Sequence, residues 1–335
     1  TTDDSILFAS VRNDQIYGNA GDDLIFGNAG ADVIDGGAGD DTITNGTGDD
    51  VIEGGLGSDT VVFVGNKEDF TFAVATDGTL SVTDISTGDF LGVDTITGVE
   101  TLSFNDGDLT VATTIDGDVT LTGSSVDDVI TLTGSVGATL VGAENADMLT
   151  GGSGNDIIEA GAGADEIYGG AGEDTLTGGA GDDIIRGGEG SDTVVFAGNK
   201  EEFTFAVNAD GTLTVTDLGT DNSLGVDTIS GVETLSFNDG DLTVTTAADG
   251  YVTLTGDEVG DVVTLAGTVG FTLDGADNDD TLTGGAGDDT IIGGAGDDVI
   301  DGNKFAYLPE GENYRIELKA TAVGTFSSDI KEIQG

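Results

Sequence analysis

The chain has no histidine and no cysteine among its 335 residues. That removes His-assisted serine nucleophiles, cysteine nucleophiles, zinc sites built on His or Cys, and any disulfide. With Lys and Arg together numbering 8 against 65 acidic residues, the formal charge is -57. A surface of that sign has little with which to neutralise phosphates, so nucleic acid is an unexpected partner and anionic membranes are disfavoured. No apolar run approaches the length of a transmembrane helix. The chain starts at Thr1 without Met or an apolar leader, which reads as a processed product or a fragment. No G-x-S-x-G elbow and no phosphate loop ending in Gly-Lys-Ser/Thr occurs. An enzyme is therefore not expected here.

What is abundant is glycine, 59 residues of it, and the glycines fall in register. From Gly18 to Val62 the chain reads GNAGDDLIF, GNAGADVID, GGAGDDTIT, NGTGDDVIE, GGLGSDTVV, five nonapeptides without a gap. Gly holds the fourth place, Asp the sixth, and an aliphatic the eighth. The first six residues suit turns, because Gly supplies positive φ and Asp and Asn favour turn conformations. The last three suit a short strand whose eighth-place side chain faces inward. Stacked units of this kind bury a thin aliphatic column between two rows of acidic turns. Such rows repel each other, and their carboxylates and free carbonyls suit a hard cation.

These segments resemble the RTX (repeats-in-toxin) nonapeptide G-G-x-G-x-D-x-U-x, where U is a large aliphatic. The resemblance implies calcium and a parallel β-roll in which two nonapeptides make one coil. It also implies metal between loops n and n+2, pairing Asp14 with Asp32, Asp23 with Asp41, Asp32 with Asp50, and Asp41 with Asp59. Asp14 belongs to a degraded nonapeptide, Ala9–Tyr17, and Ile6–Phe8 is expected to pack over the open end of the column.

Beyond Thr60 the period changes to two. Phe70–Val74 and Thr79–Thr83 flank Asp77-Gly78 as a hairpin. Further strands are expected at Asp94–Thr97, Thr101–Phe104, Leu109–Val111, Val119–Thr122 and Val129–Thr133, with Phe63, Phe70, Phe72 and Phe104 as core. The programme then recurs at an offset of 133: Asp59-Thr-Val-Val-Phe63 returns as Asp192-Thr-Val-Val-Phe196, and GVETLSFNDGDLTV begins at both Gly98 and Gly231. The second block carries Asp147, Asp156, Asp165, Asp174, Asp183 and Asp192 at its sixth places. A third, short block carries Asp280, Asp289 and Asp298. Under the resemblance, four sites in each full block and one in the third give roughly nine calcium ions.

The expected fold is all-β: β-roll blocks alternating with small β modules in a 133-residue tandem repeat. The expected units are a lead-in and first roll (1–62), a β module (63–141), a second roll (142–195), a second module (196–274), a third roll (275–302) and a C-terminal β unit (303–335). The expected function is a secreted calcium-binding structural protein of a bacterial cell surface, as adhesin stalk, surface layer or extracellular fibre. The alternatives are the calcium-binding C-terminal region of a secreted protease, lipase or toxin, and a ligand-binding adhesin. The resemblance implies export by type I secretion. The acidic rolls and the more basic stretch after Asn303 suggest head-to-tail self-association. Asn45-Gly-Thr47 fits a glycosylation triplet by chance alone. Tyr17, Phe26 and Tyr168 occupy outward ninth places.

Overall fold

The computed structural model describes residues 4–87, 91–219, 223–247, 251–302 and 315–316. Among them the chain is all-β, with only two single-turn 3-10 segments, Lys67–Asp69 and Lys200–Glu202. No helix among the described residues is long and apolar enough to cross a membrane. Each nonapeptide contributes one strand, and successive nonapeptides place theirs on opposite sheets. Strand partners therefore stand 18 residues apart: Leu24 opposite Thr42 on one side, Val33 opposite Val51 on the other. The parallel register stacks Ile25 on Ile43 and Val61, and Ile16 on Ile34 and Ile52, all of them buried.

The β modules do not interrupt this stack. One sheet of 16 strands runs from Ile6–Phe8 to Thr290–Ile292, through both modules. Val61 of the first roll lies beside Leu102 of the module, and Leu121 of the module lies beside Leu140 at the start of the next coil. Within the module this sheet reverses direction twice, from Thr101–Phe104 to Gly107–Thr113 to Val119–Thr122. Two reversals restore the original strand direction, so parallel winding resumes. The opposite face does the same with Val93–Thr97, Leu80–Asp84 and Phe70–Val74. It rejoins the next roll through a bridge from Phe72 to Leu132, and in the second unit through the pairing of Phe205 with Leu265. The first five blocks legible in sequence, over residues 4–302, are thus segments of one continuous solenoid among the described residues.

The modules widen the column to accept rings. Phe63 stacks on Phe104 with centroids 5.3 Å apart and planes at 13°, and Phe70 and Phe72 meet Phe104 at steeper angles. Phe196, Phe203, Phe205 and Phe237 repeat the arrangement. At the first coil, Ile6–Phe8 pairs with Leu24–Phe26 as the outermost strand, and Phe8 stacks on Phe26 at 4.9 Å. Of the expected C-terminal unit only Arg315–Ile316 is described, as a strand beside Val299–Ile300. The remainder of 303–335 lies outside the described residues.

Candidate metal centres along the solenoid turns

The turns are shaped by close approach. At Gly36, a Cβ would lie 2.5 Å from Asp41 Oδ2 and 2.6 Å from the carbonyl oxygen of Gly54. The first Gly of a nonapeptide therefore leaves a cradle between its own sixth-place carboxylate and a carbonyl one coil ahead. Gly39 at the fourth place adopts φ of 132°, which an L side chain resists.

Each sixth-place Asp uses its two oxygens differently. Oδ1 accepts the backbone N–H of the Asp one coil back: Asp14 donates to Asp32, Asp23 to Asp41, Asp32 to Asp50 and Asp41 to Asp59, at 2.7 to 2.9 Å. The second roll repeats this from Asp147 to Asp165, Asp156 to Asp174, Asp165 to Asp183 and Asp174 to Asp192. In the third, Asp280 donates to Asp298. Oδ2 is buried and has no hydrogen-bond partner at Asp23, Asp32, Asp41, Asp50, Asp59, Asp147, Asp165, Asp174, Asp183, Asp192, Asp280 and Asp298. Buried bare carboxylate oxygens are costly unless a cation meets them. At Asp23, Asp32, Asp41, Asp59, Asp147, Asp174, Asp192 and Asp280 the carboxylate faces a backbone carbonyl across a glycine cradle, an all-oxygen donor set that fits calcium.

The electrostatics agree. Burial pushes Asp50 up to about 6, partly offset by the N–H that Asp32 donates to it. Burial likewise raises Asp147 and Asp280 to about 7, with neighbouring carboxylates adding to the effect. Asp41, Asp59, Asp165, Asp174 and Asp192 are raised by burial too.

Two sequence-predicted ligands differ from this pattern. Asp14 is only half-buried, and the Ser10 hydroxyl and N–H hold its carboxyl below the usual range. Asp156 accepts the N–H of Ala138 on Oδ1 and that of Gly152 on Oδ2, so both oxygens are engaged. Asp289 is buried at its turn.

The ladder also continues into the modules through residues that nonapeptide spacing does not reveal. Asp50 and Asp59 donate to Asp94 and Glu100, 44 and 41 residues away. Asp183 and Asp192 donate to Asp227 and Glu233. Asp128 and Asp261 open the following rolls, donating to Asp147 and Asp280. Burial drives Asp94 and Asp227 up to about 8. A signal for Asp128 existed: Gly123, Asp128 and Ile130 keep first, sixth and eighth places, with Val126 where the fourth Gly should stand. A second, exposed ladder runs along the fifth places, where Asp22 and Asp40 accept the N–H groups of Asp40 and Ser58.

Asn45, which replaces the first Gly of its nonapeptide, is buried and donates to Asp94 Oδ2 at 2.5 Å, so it is closed to a glycan in the fold. Tyr168 packs locally: its hydroxyl meets Glu166, and Arg186 lies 4.7 Å over its ring while bonding Glu166.

Residues 8–43, 46–62, 133–167, 141–176, 159–194 and 274–306 match the family model of the RTX calcium-binding nonapeptide repeat. The turns are RTX calcium-binding repeats. The matched RTX stretches leave 63–132 and 195–273 outside, which are the module regions. No curated protein matches the chain. Among solved structures, an extracellular lipase from Serratia marcescens is similar at 21% identity with a TM-score of 0.26. That match covers 69% of this chain and 38% of the lipase chain.

Proposed function

We propose that this chain is part of a secreted, calcium-dependent structural protein of a bacterial cell surface, without a catalytic role. The observation that carries the proposal is the row of buried, bare Oδ2 atoms recurring along one uninterrupted solenoid. Repetition of a whole 133-residue unit extends reach or builds surface, whereas catalysis needs one differentiated site. When bound, calcium supplies positive charge and several coordination positions to oxygen ligands. The chain's own part is to hold the Oδ2 of Asp59, and of its counterparts behind a first-place glycine, against a carbonyl one coil ahead, with Oδ1 tied back by an N–H so that the carboxylate cannot swing out. Without such a counter-charge the like-charged turns repel, which suits an extended state during export, and the folded state is favoured by mass action where calcium is plentiful.

About nine ions are expected from the paired turns. Head-to-tail association is part of the proposal, motivated by the acidic rolls and by four of the chain's eight basic residues lying beyond Asn303. The central test is circular dichroism of the chain with calcium and then with excess EGTA. The β signal should collapse on chelation, and an unchanged spectrum would overturn the reading. Electron micrographs of the material in calcium should show rods joined end to end, and light scattering that reports monomers alone at high concentration would remove the association.

A further inference from the structure

Two of the few basic side chains are buried outright. Lys67 and Lys200 are 133 residues apart, and each is sealed inside a module. The Lys67 ammonium lies 2.9 Å from Asp128 Oδ1, 3.5 Å from Asp106 Oδ1 and 3.1 Å from the Asp106 carbonyl oxygen. Lys200 lies 2.7 Å from Asp261 and 3.5 Å from Asp257, and bonds the Asp239 carbonyl at 3.2 Å.

Asp128 and Asp261 are the first rungs of the second and third ladders. In a typical roll turn Oδ1 takes an N–H from the coil before, and Oδ2 is left bare. At Asp128 no earlier acidic rung precedes it, and the ammonium supplies Oδ1 instead. Its Oδ2 accepts the Ser124 N–H at 2.6 Å. Asp261 Oδ2 likewise accepts the Asp257 N–H at 3.1 Å. Both oxygens of these two carboxylates are therefore met by the chain itself, Oδ2 by a hydrogen bond and Oδ1 by the lysine ammonium as an ion pair that balances the charge.

We propose that Lys67 and Lys200 are built-in counter-ions that stand in for calcium at the start of each following roll, so that the two β modules fold without the metal and template the rolls on either side. The proposal rests on the calcium-dependence of the rolls. Three features support it together: the complete burial of the ammonium groups, their equivalent placement against Asp128 and Asp261 in the two units, and the hairpins and phenylalanine cluster that give the modules a core of their own.

Hydrogen exchange of the full chain in excess EGTA tests it. Amides of the module cores, such as Leu109 and Leu242, should stay protected, while roll amides such as Asp41 and Asp174 exchange freely. Modules that lose protection together with the rolls would overturn the proposal. Rolls that stay protected with the modules would sink calcium-dependence itself, and this proposal with it. In Lys67→Met, exchange of the first module in EGTA should rise roughly a hundredfold or more, the effect of stranding one member of a buried ion pair. The second module, with Lys200 intact, serves as the internal control. The double variant Lys67→Met with Asp128→Asn removes both charges and should recover much of the lost protection. First-module protection in Lys67→Met equal to wild type, or no recovery in the double variant, would overturn the counter-ion role.

Discussion

At the scale of single residues, the division of labour within one carboxylate decides the chemistry. Oδ1 of Asp41 is spent on the Asp23 N–H, so only Oδ2 is available to a cation, and the space before it exists because residue 36 has no Cβ. Gly36→Ala should remove one calcium from the stoichiometry measured by titration calorimetry and cost about 1–3 kcal/mol through overpacking. An unchanged ion count would show that the cradle is not a site. Protons compete for the same oxygens. Because burial raises the carboxyl of Asp50 to about 6 and those of Asp147 and Asp280 to about 7, the metal-free fold binds protons more tightly than the unfolded chain, whose Asp titrates near 3.8. That contribution to stability is fully present below about 3.8 and is lost as pH rises through about 6 to 7. In EGTA, circular dichroism should therefore show more β structure at pH 5 than at pH 8. The folded turns should bind calcium more weakly as pH falls from 8 to 5 while the calcium concentration needed for folding also falls, and the opposite order would contradict the burial of these groups.

At the scale of the strand, stability comes from a column one side chain wide. Ile34 is buried between Ile16 and Ile52, while its neighbour Val33 points outward at 40% exposure. Ile34→Ala should cost about 2–5 kcal/mol, as a large-to-small change in a core that cannot collapse around the gap. Val33→Ala should stay within about 0.5 kcal/mol. The calcium midpoint for folding, read by circular dichroism, separates the two. Equal effects would mean that the face assignment is wrong. The hairpins show how the winding survives a change of pattern. Phe70–Val74 and Leu80–Asp84 form about Gly78, whose φ is 82°, as the Asp-Gly turn predicts. Their destination was not legible: nothing in a period-two stretch says that Thr95 will lie beside Val51.

At the scale of the whole molecule, a charge of -57 opposes any compact state, and the fold sets one Asp of every roll nonapeptide in rows along the turns. Sixteen strands about 4.8 Å apart set a stack about 72 Å long, and a rod of that length has a radius of gyration near 21 Å by geometry. The same chain unfolded is expected at about 65 Å or more. Small-angle X-ray scattering should report a roughly threefold drop on adding calcium, and a calcium-independent radius would exclude metal-coupled compaction.

Sequence alone determined what repeats. The nine-residue spacing placed Gly36, Asp41 and Ile43 in their roles, and the offset of 133 exposed the tandem unit, because local stacking reads one coil from the next and leaves a period behind. Tertiary structure alone decided what happens where the period breaks. Asp94 and Glu100 join the ladder, and Lys67 closes on Asp128, through contacts spanning 41 to 61 residues that no repeat encodes. The modules proved to be part of the same solenoid for an equally physical reason: the sheet edge of a finished roll offers unpaired N–H and C=O groups, and the next strand that can satisfy them extends the sheet whatever its sequence period.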